Sequence, residues 1–130
     1  MSSARSADPA SVAARFNDCI ASRDIEALTQ LMTEDHTFVD TEGNVVSGRR
    51  ACRAAWQGFF EAFPDYSNVF DAVTAADTLV AMVGHSLCSA PALDGPALWT
   101  ATIRDDKVAR WRVYTDTPSN RDALGLPDHG

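Results

Sequence analysis

The chain has 130 residues, of which 45% are hydrophobic and 22% charged, with 18 acidic and 11 basic side chains giving a formal charge of -7. That length predicts one domain burying about two-thirds of its unfolded surface, and the composition excludes a disordered chain. The acidity opposes phosphate backbones and anionic lipid, so neither nucleic acid nor a membrane is an expected partner.

The polar first eight residues carry no apolar run of signal-peptide length, and no window approaches a membrane span, so a flexible amino terminus and a cytoplasmic protein are expected. Asp8-Pro9 then starts a helix, with a side-chain acceptor at the cap and a residue whose missing N–H costs nothing in the first turn. Val12, Phe16, Cys19 and Ile20 fall on one stripe of it. Asp24 caps a short second helix with Leu28, Leu31 and Met32 on one side, ending near Thr33-Glu34-Asp35. His36 to Asp40, the turn Thr41 to Asn44 and Val45-Val46 predict a small hairpin. Cys52, Ala55, Trp56, Phe59, Phe60 and Phe63 form the widest helical stripe in the chain, closed by Pro64.

Beyond Tyr66 the pattern becomes that of strands: Tyr66 to Val73, Leu79 to Ala90, Leu98 to Arg104 and Lys107 to Thr115. The last two are joined by a tight turn at Asp105-Asp106. Alternation puts Ala109, Trp111 and Val113 on one face, with Arg110, Arg112, Tyr114 and Asp116 on the other. The expected architecture is therefore α+β, about three N-terminal helices on a curved, mainly antiparallel sheet in one domain, residues 9–117, followed by a loosely ordered tail, residues 118–130, with one turn near Asp122. Cys19, Cys52 and Cys88 lie far apart without Cys-x-x-Cys spacing, so no disulfide framework and no metal site is predicted.

Three stretches carry a family resemblance: Leu31 to Asp40 followed by Gly48-Arg49 and the aromatic helix, Ala62-Phe-Pro-Asp-Tyr66, and Val108 to Asp116. Together they resemble the ketosteroid isomerases and SnoaL-like polyketide cyclases of the nuclear transport factor 2-like superfamily, over residues 10–126. The resemblance implies a cone-shaped fold, no cofactor, a small apolar or aromatic ligand in its interior, and a homodimer formed through the outer sheet face. It aligns Asp40 with the carboxylate that removes a proton next to a carbonyl, in an isomerisation, cyclisation or elimination on a cyclic ketone or polyketide-like substrate. Phe16, Trp56 and Trp99 align where the isomerases carry polar groups, so both oxyanion donors are missing. Val113 aligns with the water-activating Asp of related epoxide hydrolases, and a valine cannot take a proton.

Asp40 and His85 are the candidate catalytic residues. A carboxylate at the end of a strand shared with His36 and Phe38 gains basicity if poorly solvated; its other use is to cap the turn at Thr41. His85 is suited to acid–base work by its pKa near neutrality, and SnoaL-like cyclases carry a pocket His and Asp pair, but its strand offers apolar residues on both faces. Phe16, Phe38, Trp56, Phe60, Trp99, Trp111 and Val113 are candidate ligand contacts, each serving equally well as core. A noncatalytic binding protein of the same fold is the alternative reading.

Overall fold

The computed structural model describes residues 8–126. The expected flexible amino terminus, apart from Asp8, and the end of the tail lie outside them. Helix α1 (Pro9–Ser22) begins with Pro9 in its first turn, but the Asp8 side chain makes no cap bond. Its buried residues Val12, Ala13, Phe16, Asn17 and Ile20 follow the expected stripe. In α2 (Ile25–Gln30), Asp24 caps as read, accepting from the Ala27 N–H at 3.2 Å.

Helix α2 stops earlier than its sequence suggests. Met32 already pairs with Val108 in a parallel ladder, and the Val108 N–H donates to the Leu31 carbonyl. Six helical residues cannot outweigh that sheet. Strand β1 (Met32–Val39) therefore takes over the stretch, Met32 to Asp35, expected to complete α2, and returns through β2 (Val45–Ser47) as the predicted hairpin. Helix α3 (Arg49–Ala62) follows, with Cys52, Trp56 and Phe60 buried.

The remaining strands, β3 (Ser67–Ala76), β4 (Leu79–Leu87), β5 (Gly95–Arg104) and β6 (Lys107–Thr115), form an antiparallel meander. With the hairpin they make one six-stranded sheet in the order β2-β1-β6-β5-β4-β3, in which only β1 and β6 run parallel. Asp105 and Asp106 both have positive φ, 55° and 61°, as a two-residue hairpin turn of the right twist requires. A bulge between Thr102 and Ile103 on one side and Val108 and Arg110 on the other leaves Ala109 unpaired. Val108 consequently joins Trp111 in the core, where the uninterrupted alternation placed Ala109.

Helices α1 and α3 cover the inner sheet face. Phe16 stacks on Trp111 at 4.7 Å and Phe70 on Trp99 at 5.1 Å, and Phe16, Trp99 and Trp111 are fully buried. The tail is also more ordered than its composition suggests. Residues Pro118–Ala123 form α4, whose Arg121 pairs with Asp116 through two hydrogen bonds of 2.7 and 2.9 Å, and Leu126 packs with Ala81 and Leu98. The side chain of Asp116, expected at an interface or on a solvated surface, is thereby buried, because the C-terminal segment folds back over part of the outer sheet face. No helix among the described residues is long and apolar enough to cross a membrane.

Gly84 sits opposite Phe70 where β3 bulges toward β4. A Cβ on it would meet the Val69 carbonyl oxygen at 1.9 Å, so only glycine permits this approach. Gly84→Ala is expected to cost about 1–3 kcal/mol of overpacking strain, read as a lower urea midpoint; an unchanged midpoint would show that β3 relaxes freely.

Candidate functional site

A cavity of about 360 Å³ opens beside α3. The first hairpin contributes Phe38, Asp40, Thr41 and Val46 to its wall, and α3 contributes Ala55, Trp56 and Phe59. Tyr66 enters from the loop after α3, Leu93 from a single 3₁₀ turn (Pro91–Leu93), and Val113 from β6. Spacing explains the helical part, since residues 55, 56 and 59 share one face of α3. The hairpin supplies the opposite wall because β1 lies beside β6, with Phe38 level with Trp111. Trp56 is held by edge-on contact with Phe38 at 5.5 Å and by Phe59 and Phe60 at 5.7 and 5.6 Å. The wall is apolar apart from a few groups, as expected of a site for a small organic molecule.

Of the residues proposed as ligand contacts, Phe38, Trp56 and Val113 line this cavity. Phe16, Trp99 and Trp111 do not: they are fully buried between α1 and the sheet, away from any opening. Phe60 is turned into the same core and contacts the cavity only through Trp56. The indole N–H groups of Trp99 and Trp111 are thus out of a ligand's reach. Phe59 and Ala55 lay on the predicted stripe of α3 but were indistinguishable there from core residues. The pattern reads Tyr66 only as the first residue of a strand and gives Leu93 no signal, because irregular segments bring both to the cavity.

His85 belongs to the other side of the sheet. In β4, Val80, Met82 and Ser86 point toward the helices, so Ala81, Val83 and His85 point away. His85 stands 3.6 Å from the Asp71 carboxylate, with 41% of its side chain exposed. Strand parity therefore separates it from Asp40, and the two do not form a pair. The buried histidine is instead His36, whose Nδ1–H donates to the Val108 carbonyl at 2.5 Å, and whose pKa burial pushes below the usual value. Its ring packs on Phe16, outside the cavity lining.

Asp40 is the one carboxylate on the cavity wall, at the rim and in the turn at once. One carboxylate oxygen accepts from the N–H groups of Glu42 and Asn44, each at 2.9 Å, and the other accepts from the Asn44 side-chain amide at 3.1 Å. These bonds favour the charged form. The hydrogen bond from the Asn44 backbone has the largest effect and, with those from the Asn44 side chain, Glu42 and Gly43, holds the pKa below the ordinary 3.8 against the opposing effect of desolvation. Of the two uses the sequence leaves open for Asp40, the geometry matches the turn cap: the carboxylate is ionised, hydrogen-bonded by its own turn and weakly basic. Among the described residues no group of three or more His, Cys, Asp or Glu side chains is arranged to hold a metal ion.

The lowered pKa sets a sign. Because the folded state holds Asp40 deprotonated more strongly than the unfolded chain does, its contribution to stability is complete above the unfolded value and is lost as pH falls through the folded value. Direct NMR titration of the Asp40 carboxyl, assigned with Asp40→Asn, should give a midpoint below 3.8; a midpoint above that value would place the carboxylate in a desolvated site after all.

With this geometry in place, comparison with known proteins identifies the fold's relatives. The model of the SnoaL-like domain family matches residues 13–111. A protein from Shewanella putrefaciens assigned to the SnoaL-like polyketide cyclases superposes with a TM-score of 0.74, covering 95% of this chain and 90% of its own at 17% identity. An NTF2-like protein of unknown function from Cytophaga hutchinsonii gives 0.71, covering 94% and 98% at 10% identity. An epoxide hydrolase of the LEH-like kind from M. tuberculosis gives 0.72, covering 83% and 82% at 11% identity. At these identities the superpositions establish the shared fold and nothing finer. No curated protein matches the sequence. The family match spans most of the chain, and the protein belongs to the SnoaL-like domain family.

Proposed function

We propose that the chain binds a small, flat and largely apolar organic molecule in the cavity beside α3, with the polar end of that molecule directed toward Asp40 at the rim. The observation that carries this reading is the wall itself: aromatic and aliphatic side chains from four elements converge on one opening that holds a single carboxylate. Membership of a family that includes small-molecule enzymes agrees with it. A volume of about 360 Å³ accommodates a fused two-ring compound with room for substituents.

In the catalytic form of this reading, Asp40 takes a proton from a carbon next to the ligand's carbonyl, and isomerisation, cyclisation or elimination follows without a cofactor. An ionised carboxylate of low basicity suits only an acidified C–H, such as one in a cyclic ketone or between two carbonyls of a polyketide-like chain. A specific observation favours the second reading, binding without turnover: all three bonds that fix Asp40 belong to its own turn, and Phe16 and Trp99 offer no oxyanion donor.

Exchange of the α-protons of 2-tetralone with deuterated water separates the two. The catalytic form expects exchange accelerated by the wild-type protein and slowed about 10²-fold or more in Asp40→Asn, a variant whose amide oxygen still accepts the turn's two N–H groups. Binding of 2-tetralone with no acceleration by the wild type would eliminate catalysis of this kind and leave the binding protein.

The reading also includes a homodimer through the outer sheet face. Supporting it, Val69 and Leu87 stand exposed there beside His85, toward the end of β4 beyond the patch covered by Leu126. Light scattering should give twice the chain mass, falling to one chain mass in Leu87→Glu; a monomeric wild type would reject the dimer.

A further inference from the structure

A buried chain of polar side chains runs from α1 to the cavity wall. Asn17, Asn68, Ser86 and Tyr66 are each more than nine-tenths buried. The Asn17 Nδ2–H donates to the Asn68 backbone carbonyl at 3.1 Å, the Asn68 Nδ2–H donates to Asn17 Oδ1 at 3.2 Å, Ser86 Oγ donates to Asn68 Oδ1 at 2.8 Å, and Tyr66 Oη lies 3.3 Å from Ser86 Oγ. Buried polar groups left unpaired are costly, so this chain holds one arrangement.

The direction of every proton in it follows from one atom. A backbone carbonyl only accepts, so the Asn17 atom facing it is the amide nitrogen, and its other amide atom is the oxygen. That oxygen needs a donor, which makes the facing Asn68 atom nitrogen and leaves Asn68 Oδ1 as an acceptor. Ser86 has one hydrogen and gives it to Asn68 Oδ1. Ser86 Oγ can then only accept from Tyr66, whose single phenolic proton is committed to the protein. What the tyrosine has left is acceptor capacity on its oxygen.

We propose that Tyr66 is the hydrogen-bond acceptor of the cavity and determines its specificity, selecting ligands that present a hydroxyl or N–H over otherwise similar molecules that carry only acceptors. This rests on the cavity being the ligand site. Enols and phenols are the favoured class. It also removes Tyr66 as a stabiliser of a negatively charged oxygen, because donating to such an oxygen would break the bond to Ser86 and leave that serine's lone pair unpaired.

The test compares dissociation constants of 2-naphthol and 2-methoxynaphthalene, measured by NMR titration of the labelled full chain. Tyr66→Phe supplies the preference that the apolar wall has by itself. Relative to that variant, the wild type should favour 2-naphthol by about fivefold, as one net hydrogen bond provides, while the ether binds both equally well. Ser86→Ala frees the phenolic proton and should move the preference back toward the ether. An identical ratio in wild type and Tyr66→Phe would overturn the assignment while leaving the cavity reading intact, and an unchanged ratio in Ser86→Ala would overturn the proton direction. Failure of both probes to bind the wild type would reject the cavity itself as the ligand site.

Discussion

The hydrogen bond from the His36 ring to the Val108 carbonyl is the contact on which the site depends. Together with the parallel ladder of Met32 and Thr37 to Val39 on β6, it fastens β1 in place, so that a hairpin formed early in the chain becomes the far edge of a sheet formed mostly from its second half. The contact is sealed by Phe16, which packs on His36 and Trp111 together. Because the donor is a neutral imidazole in an apolar setting, burial and the hydrogen bond act in opposite directions on its pKa, and burial prevails. The same joint places Phe38, Asp40 and Val46 opposite α3. Without that joint the cavity would lose the wall that the hairpin supplies.

The division of aromatic residues follows from that geometry. Those nearest the joint, Phe16, Trp99, Trp111 and Phe70, interlock with each other and close the middle of the sheet to solvent. On α3, Trp56 meets Phe38 of the hairpin and Phe59 meets Tyr66, and a gap remains between helix and hairpin. An apolar stripe on one helix thus serves as core along part of its length and as a cavity wall along the rest. The polar groups at the gap are of two kinds. Asp40 is open to water and held by its turn, whereas Tyr66 is enclosed and held by the chain through Ser86 and Asn68 to Asn17.

Much of the architecture was legible because it is governed by local rules. The stripe of α3, the cap at Asp24 and the Asp105-Asp106 turn each need only neighbouring residues to specify them. The family resemblance rested on similarly local stretches, and the family match spans most of the chain. Where prediction departed from the structure, a distant partner had intervened. Val108 drew Met32 out of the helix, the bulge at Ala109 exchanged which residue enters the core, and the Arg121–Asp116 pair ordered a segment with no apolar stripe of its own.

The sequence by itself determined the class of fold, the order of its helices and strands, and the presence of a carboxylate and a concentrated aromatic surface, because these follow from periodicities of 3.6 and 2 and from residue chemistry. Only the tertiary structure decided what those residues do. The face occupied by His85 depended on the strand's pairing, since apolar residues stood on both sides of it. The basicity of Asp40 depended on whether its oxygens met N–H groups or an apolar wall, and the turn supplied the N–H groups. The role of Tyr66 depended on a proton direction set by Asn17, nearly fifty residues earlier in the chain, through hydrogen bonds that leave no trace in any local pattern.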